Sequence, residues 1–126
     1  MTENAEIKWS NIRHFPEIRS QQRDGDIIEI ELFVDAGLFQ FQGHFPNEPV
    51  LPGVAQIDWA AQLGREHFGF NGPFTRMGQL KFSRLIVADS LLFLRLEWNR
   101  EKRRLIFSYR DGDETCSSGY FELTAP

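Results

Sequence analysis

From Asp26 onward apolar and polar residues alternate. Ile28, Ile30, Leu32 and Val34 fall on one face and Glu29 and Glu31 on the other, the period of a half-buried strand. Asp24-Gly25 before it and Asp35-Ala36-Gly37 after it read as turns. Residues 38–42 alternate again and predict a second short strand, paired with the first as a hairpin. Further along, residues 77–82 form a strand candidate, and residues 91–98 carry Leu92, Leu94, Leu96 and Trp98 on one face. The polar turn Asn99-Arg100-Glu101-Lys102 leads to Leu105, Phe107 and Tyr109, and Asp111-Gly112-Asp113 turns the chain into residues 115–123. The first two dozen residues space Ile7, Trp9, Ile12, Phe15 and Ile18 loosely, which fits a short helix and an edge strand equally.

Between these strands the period changes. Residues 44–53 hold three prolines, so they form a stiff connector and neither a regular helix nor a central strand. Residues 52 to about 68 then predict one long helix, with Pro52 suited to a first-turn position and Gly69 a plausible stop. Val54, Ala55, Ile57, Trp59, Ala60, Ala61 and Leu63 leave little polar face, which predicts a helix buried on most sides. The expected class is α+β, an antiparallel sheet of five or six strands wrapped around one long buried helix.

Composition narrows the function classes. The 126 residues suit one domain, 1–126, and 12 Phe supply a substantial core without metals or disulfides. No apolar run approaches the ~20 residues of a membrane span. Met1-Thr2-Glu3-Asn4 lacks the features of a secretory signal, and the lone Cys116 excludes an intrachain disulfide and a cysteine-based zinc site. A reducing cytoplasm is the expected compartment. A net charge of -4 argues against general nucleic-acid binding.

Asp58 does not fit a purely structural reading. Asp is a poor helix-interior residue and a buried, unpaired carboxylate is costly. Either it lies on a narrow exposed stripe with Gln62, or it is held in an apolar pocket where desolvation suits it to donate a proton. His44 sits where a strand meets the proline-rich connector, a place able to aim a side chain into a groove. His14 and His67 have no comparable setting. Gly53, lacking a Cβ, admits a ligand close to the start of the helix, where free N–H groups polarise a carbonyl oxygen. A base, an acid and an oxyanion site thus fall within fifteen residues.

Phe41-Gln42-Gly43-His44-Phe45-Pro46, Pro49-Val50-Leu51-Pro52-Gly53-Val54, Asp58 and Gln62 together resemble the signature of the β-hydroxyacyl-acyl carrier protein dehydratases, hot-dog-fold enzymes of fatty acid synthesis. The Gly of the Pro-Gly pair falls nine residues after the His and the acid fourteen after it. Lys81-Phe82-Ser83-Arg84 is similar to the family's strand after the helix. The sequence departs in three places. The acid is Asp rather than the Glu of the commonest branch, as it is also in the dehydratase/isomerase branch. Asn47-Glu48 replaces a usual Gly, and Val87-Ala88-Asp89-Ser90 stands where a Pro-Gly-Asp turn is common. The run Gln56-Ile57-Asp58-Trp59-Ala60 is most similar to the variant dehydratases of aryl polyene lipid clusters.

The resemblance implies dehydration of a (3R)-3-hydroxyacyl thioester to the trans-2-enoyl thioester. It assigns His44 to the C2 proton, Asp58 to the departing hydroxyl and the Gly53 N–H to the thioester carbonyl. It further implies that Phe45, Pro52, Val54, Gln62 and Arg84 contact substrate, with Gln62 orienting the Asp58 carboxyl. No metal or redox cofactor is implied. The expected partners are acyl carrier protein, delivering substrate on its phosphopantetheine arm, and a second copy of the chain in a homodimer with shared sites. Docking an acidic carrier calls for local basic surface, either at Arg84 or at Arg100, Lys102, Arg103 and Arg104. The competing readings are a hot-dog thioesterase that uses the helix carboxylate without His44, a non-catalytic acyl-chain binder, and a hydratase acting on coenzyme A thioesters.

Overall fold

The alternating segment from Ile27 does form a strand, and its inward residues Ile28, Ile30, Leu32 and Val34 are all buried. The structure, a computed structural model, describes residues 13–41 and 50–123. In chain order these form β1 (Glu17–Asp24), β2 (Ile27–Val34), a 3-10 turn (Phe39–Phe41), α1 (Gly53–Phe68), β3 (Phe74–Phe82), β4 (Ser90–Asn99), β5 (Arg104–Asp111) and β6 (Glu114–Leu123). The six strands make one sheet in the order β1-β2-β4-β5-β6-β3, and every neighbouring pair is antiparallel. The sheet wraps α1, which is the hot-dog fold. Leu92, Leu94 and Leu96 of β4 and Leu105, Phe107 and Tyr109 of β5 join β2 on the inner face, against Trp59, Ala60 and Leu63 of the helix. No helix among the described residues is long and apolar enough to cross a membrane.

The helix boundaries follow local chemistry. Pro52 is the extended N-cap residue, and Gly69 closes the C-terminus in the left-handed region (φ 71°), its N–H donating to Arg65 O at 2.8 Å. At Gly64 the helix comes so close to β5 that an added Cβ would lie 2.2 Å from Leu105 Cδ2. The Trp59 indole N–H donates to the His14 carbonyl at 3.0 Å, so this fully buried ring leaves no unpaired donor.

Two expectations are corrected. Within the predicted strand 38–42, the described residues 38–41 do not form a strand, and Gln42 lies outside the described residues. Leu38 and Phe41 both point inward, a spacing of three that suits a 3-10 turn, and their N–H groups donate to Asp35 O (3.1 Å) and Leu38 O (3.0 Å). The partners of β2 are accordingly β1 and β4, and the ambiguous N-terminal region supplies the edge strand β1. The helix is buried on most sides, as its apolar content predicts, and Val54, Asp58, Gln62 and Glu66 form one narrow exposed stripe at four-residue spacing. The turn without Pro-Gly before β4 is made by Asp89 itself at φ 66°, whose Oδ1 accepts from the Ala36 N–H at 3.2 Å.

The two sheet edges differ in kind. On β1 every residue but Ile18 is exposed, and Arg19 and Arg23 discourage pairing with another strand. On β3, by contrast, Met77, Leu80 and Phe82 are exposed, followed by Leu85 and Val87. Such a row of uncovered apolar side chains marks an interaction surface.

Gly69 tests the helix stop cleanly, because nothing lies within 4 Å of an added Cβ and the backbone alone is strained. Gly69→Ala is expected to lower stability by about 1–2 kcal/mol, read as a fall in Tm of about 2–8 °C. Gly69→Asn is expected to lose less.

Candidate active site

The first turn of α1 stands at the rim of the sheet with a cleft on each side. Helix geometry leaves the N–H groups of its first residues, Gly53 and Val54, without an intrahelical acceptor, whereas those of Ala55 and Gln56 return to Pro52 O at 3.1 and 3.3 Å. The preceding strap is fixed by its own bonds: Leu51 N–H donates to Ile86 O at 2.8 Å, and Val50 bridges Val87. The helix N-terminus therefore has a set position, and its dipole favours a partial negative charge beside it.

The larger cleft, about 520 Å³, is bordered by Leu51, Pro52, Gly53, Gln56, Phe82 and Arg84, among others. It is mainly apolar, with Phe82 as its aromatic wall. Gly53 suits this place for a reason the sequence did not reveal: a Cβ would come within 2.9 Å of the Phe82 ring and displace it. The missing side chain admits a neighbour as well as any ligand. Arg84 lies at this cleft but forms an ion pair with Glu114. Ser83 and Arg84 are anchored by N–H donation to Cys116 O at 2.9 and 3.2 Å. Burial pushes the Cys116 thiol up, so it stays protonated and is no nucleophile for the cleft.

The smaller cleft, about 310 Å³, holds Asp58 together with Val54, Pro52, Ala55, Phe39, Gln40 and His14. Asp58 is exposed in the single chain and accepts a hydrogen bond from Gln62 Nε2 at 2.7 Å. Of the two readings of Asp58, the exposed stripe shared with Gln62 is the one a single chain displays. Gln62 nonetheless orients the carboxyl as the sequence suggested. Val54, 75% exposed, flanks it as an uncovered apolar residue at the mouth of the cleft.

The structure thus places Pro52, Gly53 and Arg84 at one cleft and Pro52, Val54 and Asp58 at the other, with Pro52 shared. His44 and Phe45 lie outside the described residues. Sequence reasoning passed over His14, which stacks on Phe39 with centroids 4.8 Å apart and shares the Asp58 cleft. It also passed over Gln56 and Phe82. No periodic signal marks His14 or Phe82, but a Gln among the apolar residues of a buried helix could have been flagged. The second basic cluster is largely neutralised: Arg100 pairs with Asp26 at 2.8 Å, and Arg104 pairs with Glu122 at 2.9 Å.

A six-stranded antiparallel sheet wrapped around one helix, with that helix's N-terminus and a carboxylate opening onto clefts, is the architecture of the hot-dog class. Within it, the family model described as ApeI dehydratase (ApeI-like) matches residues 20–120, and the chain belongs to that family. The structure described as the dehydratase heterocomplex ApeI:P from Xenorhabdus doucetiae is 32% identical with a TM-score of 0.82, covering 87% of this chain and 98% of that one. The 3-hydroxyacyl-[acyl-carrier-protein] dehydratase FabZ of Clostridium novyi (strain NT) is 44% identical over 64 residues, 45% of each chain. FabZ of Desulfotalea psychrophila is 32% identical over 81 residues, 57% of this chain and 54% of that protein. The matched stretch spans about half the length of these curated relatives.

The packing at Gly53 gives a direct test. Gly53→Ala is expected to swing the half-exposed Phe82 ring outward and narrow the cleft, with little change in Tm. A crystal structure of the variant with the ring unmoved would overturn this account.

Proposed function

We propose that the protein dehydrates (3R)-3-hydroxyacyl thioesters, carried on acyl carrier protein, to trans-2-enoyl thioesters in fatty acid or related aryl polyene lipid biosynthesis. The observation that carries this reading is the first turn of α1. It presents free N–H groups at Gly53 beside an apolar cleft and, five residues on, a carboxyl held by Gln62. Membership of the ApeI-like dehydratases and the FabZ relatives support it.

Loss of water requires removal of a proton from C2, protonation of the leaving hydroxyl and stabilisation of the enolate-like thioester oxygen. His44 takes the C2 proton, Asp58 protonates the hydroxyl, and the Gly53 N–H receives the developing negative charge, helped by the helix dipole. Phe45, Pro52 and Val54 border the acyl chain, and Arg84 receives the polar end of the carrier's arm. A positioned acid or base contributes ~10²–10⁴-fold, and one oxyanion donor roughly 10²–10³-fold. A thioesterase would need the helix carboxylate and a water but not His44, and release of free thiol separates it from the dehydratase.

A second copy of the chain completes the site in this reading. The exposed stripe of α1 leaves Asp58 in water, which is poor placement for a proton donor, and the apolar edge of β3 calls for a cover. A homodimer through these surfaces desolvates Asp58 and brings catalytic groups from two chains together. Because the Xenorhabdus relative is described as a heterocomplex, the occupant of this surface must be tested directly.

His44→Ala and Asp58→Ala are each expected to lower kcat for dehydration by at least ~10²-fold, measured by enoyl absorbance on 3-hydroxyacyl thioesters, with the fold retained. Mixing the two variants is expected to restore part of the activity. Wild-type turnover in either variant would sink the assignment, and no rescue despite subunit exchange would refute shared sites.

Met77→Lys combined with Leu85→Lys is expected to convert a dimer into monomers in light scattering and to abolish activity with it. A wild-type protein that is monomeric and active alone would refute the homodimer. One that gains activity with a homologous partner chain would replace it by a heterodimer.

A further inference from the structure

Gln56 is the unexplained residue of the core. Its side chain is 3% exposed, one turn into α1 and between Ala55 and the fully buried Trp59 and Ala60. A glutamine rarely occupies such a place, since a buried amide must find partners for both its ends. Here both ends of the amide find one, on β6 and in the strap, and the backbone takes a third bond from β5. Ser117 Oγ on β6 donates to Gln56 Oε1 at 2.6 Å, and Gln56 Nε2 donates to Leu51 O, in the strap, at 3.2 Å. Its backbone carbonyl accepts from Tyr109 Oη on β5 at 2.7 Å. Ser117 and Tyr109 are both fully buried and sit opposite each other in the β5–β6 register, so one cross-strand pair grips one residue of the helix.

The tie acts on the segment that presents the Gly53 N–H. Leu51 is held by Ile86 through its N–H and by Gln56 through its carbonyl, and Pro52-Gly53 follow directly. Asp58 lies half a turn beyond Gln56 on the same rigid helix. Burial and, secondarily, the Asp58 charge push the Tyr109 hydroxyl well up, so it remains a donor across the working range. A leucine or methionine would fill the same space without burying an amide. What the amide adds is direction, a donor and an acceptor bridging two fixed polar groups.

We infer that Gln56 is a positioning residue: with Ser117 and Tyr109 it fixes the strap from Leu51 to Gly53, and hence the aim of the Gly53 N–H at the thioester oxygen. The inference rests on the dehydratase reading for its kinetic consequence, but not for its structural one. A displacement of about 1 Å in such a group costs on the order of 10²-fold in rate.

The test uses the full chain and the double variant Gln56→Met with Ser117→Ala. Removing both side-chain partners together leaves no unpaired side-chain amide or hydroxyl and frees only the Leu51 carbonyl, so its Tm should fall by no more than about 4–8 °C. Its kcat on a 3-hydroxyacyl thioester is expected to fall roughly 10- to 100-fold, with KM changed less than about threefold. Hydrogen exchange should quicken at the Leu51, Ala55 and Gln56 amides but not at Leu94 and Leu96 of β4. In Gln56→Glu only the protonated carboxyl can satisfy both Ser117 and Leu51, so activity relative to wild type should recover as pH falls. Wild-type kcat with unaltered exchange in the double variant would overturn the inference. If that variant does not fold, Tyr109→Phe, which deletes one hydroxyl, faces the same kinetic and exchange criteria. Should the wild type show no dehydration at all, the functional reading falls, and exchange at Leu51 and Ala55 alone still decides whether Gln56 positions the strap.

Discussion

Burial of Trp59, Ala60 and Leu63 in the hollow of the sheet holds α1 in one place, and the candidate site inherits its geometry from that packing. The contact at Gly64 brings the helix against Leu105 more closely than any larger residue permits. With its middle fixed, the helix must begin at the sheet rim, and its unsatisfied N–H groups face the Phe82 cleft. Core packing thus sets where the helix lies, and the hydrogen bonds at Gln56 tie its first turn and the preceding strap to the sheet. Oriented donors of this kind need no reorganisation when charge develops beside them.

The apolar surface is distributed unevenly. One sheet edge is polar and charged, while the other exposes Met77, Leu80 and Phe82 and continues into Leu85 and Val87. The stripe of α1 carrying Asp58 is likewise uncovered. Both features leave apolar or functional side chains open to a partner, and in the proposed dimer assembly and chemistry are linked, because a neighbouring chain would desolvate that carboxyl.

Charge is handled locally. Arg84 with Glu114, Arg100 with Asp26 and Arg104 with Glu122 show that cationic side chains near the cleft and at the β4–β5 turn already have acidic partners. Exposed pairs of this sort add little stability, but they remove the simple picture of a basic patch. Of the arginines considered for carrier docking, Arg84 lies at the cleft beside the start of α1, whereas Arg104 lines a separate cleft with Lys102.

The sequence by itself determined most of the strands, because period-2 alternation depends on one buried face and survives without knowledge of the partner strand. It also determined both ends of the helix, where Pro52 and Gly69 act through backbone chemistry alone, and it singled out Gly53, Asp58 and Gln62 through their spacing. It misjudged residues 38–41, since Phe39 and Phe41 on either side of Gln40 imitate the period of a strand. It left Asp58 between an exposed stripe and an apolar pocket, because apolar content does not say which side a neighbour covers. The tertiary structure decided what depends on distant residues meeting. Phe82 packs where a side chain at 53 would lie, His14 reaches the Asp58 cleft, and Leu51, Tyr109 and Ser117 converge on Gln56. Hydrogen bonds between residues up to 61 positions apart leave no local period, so the chain must fold before they can be read.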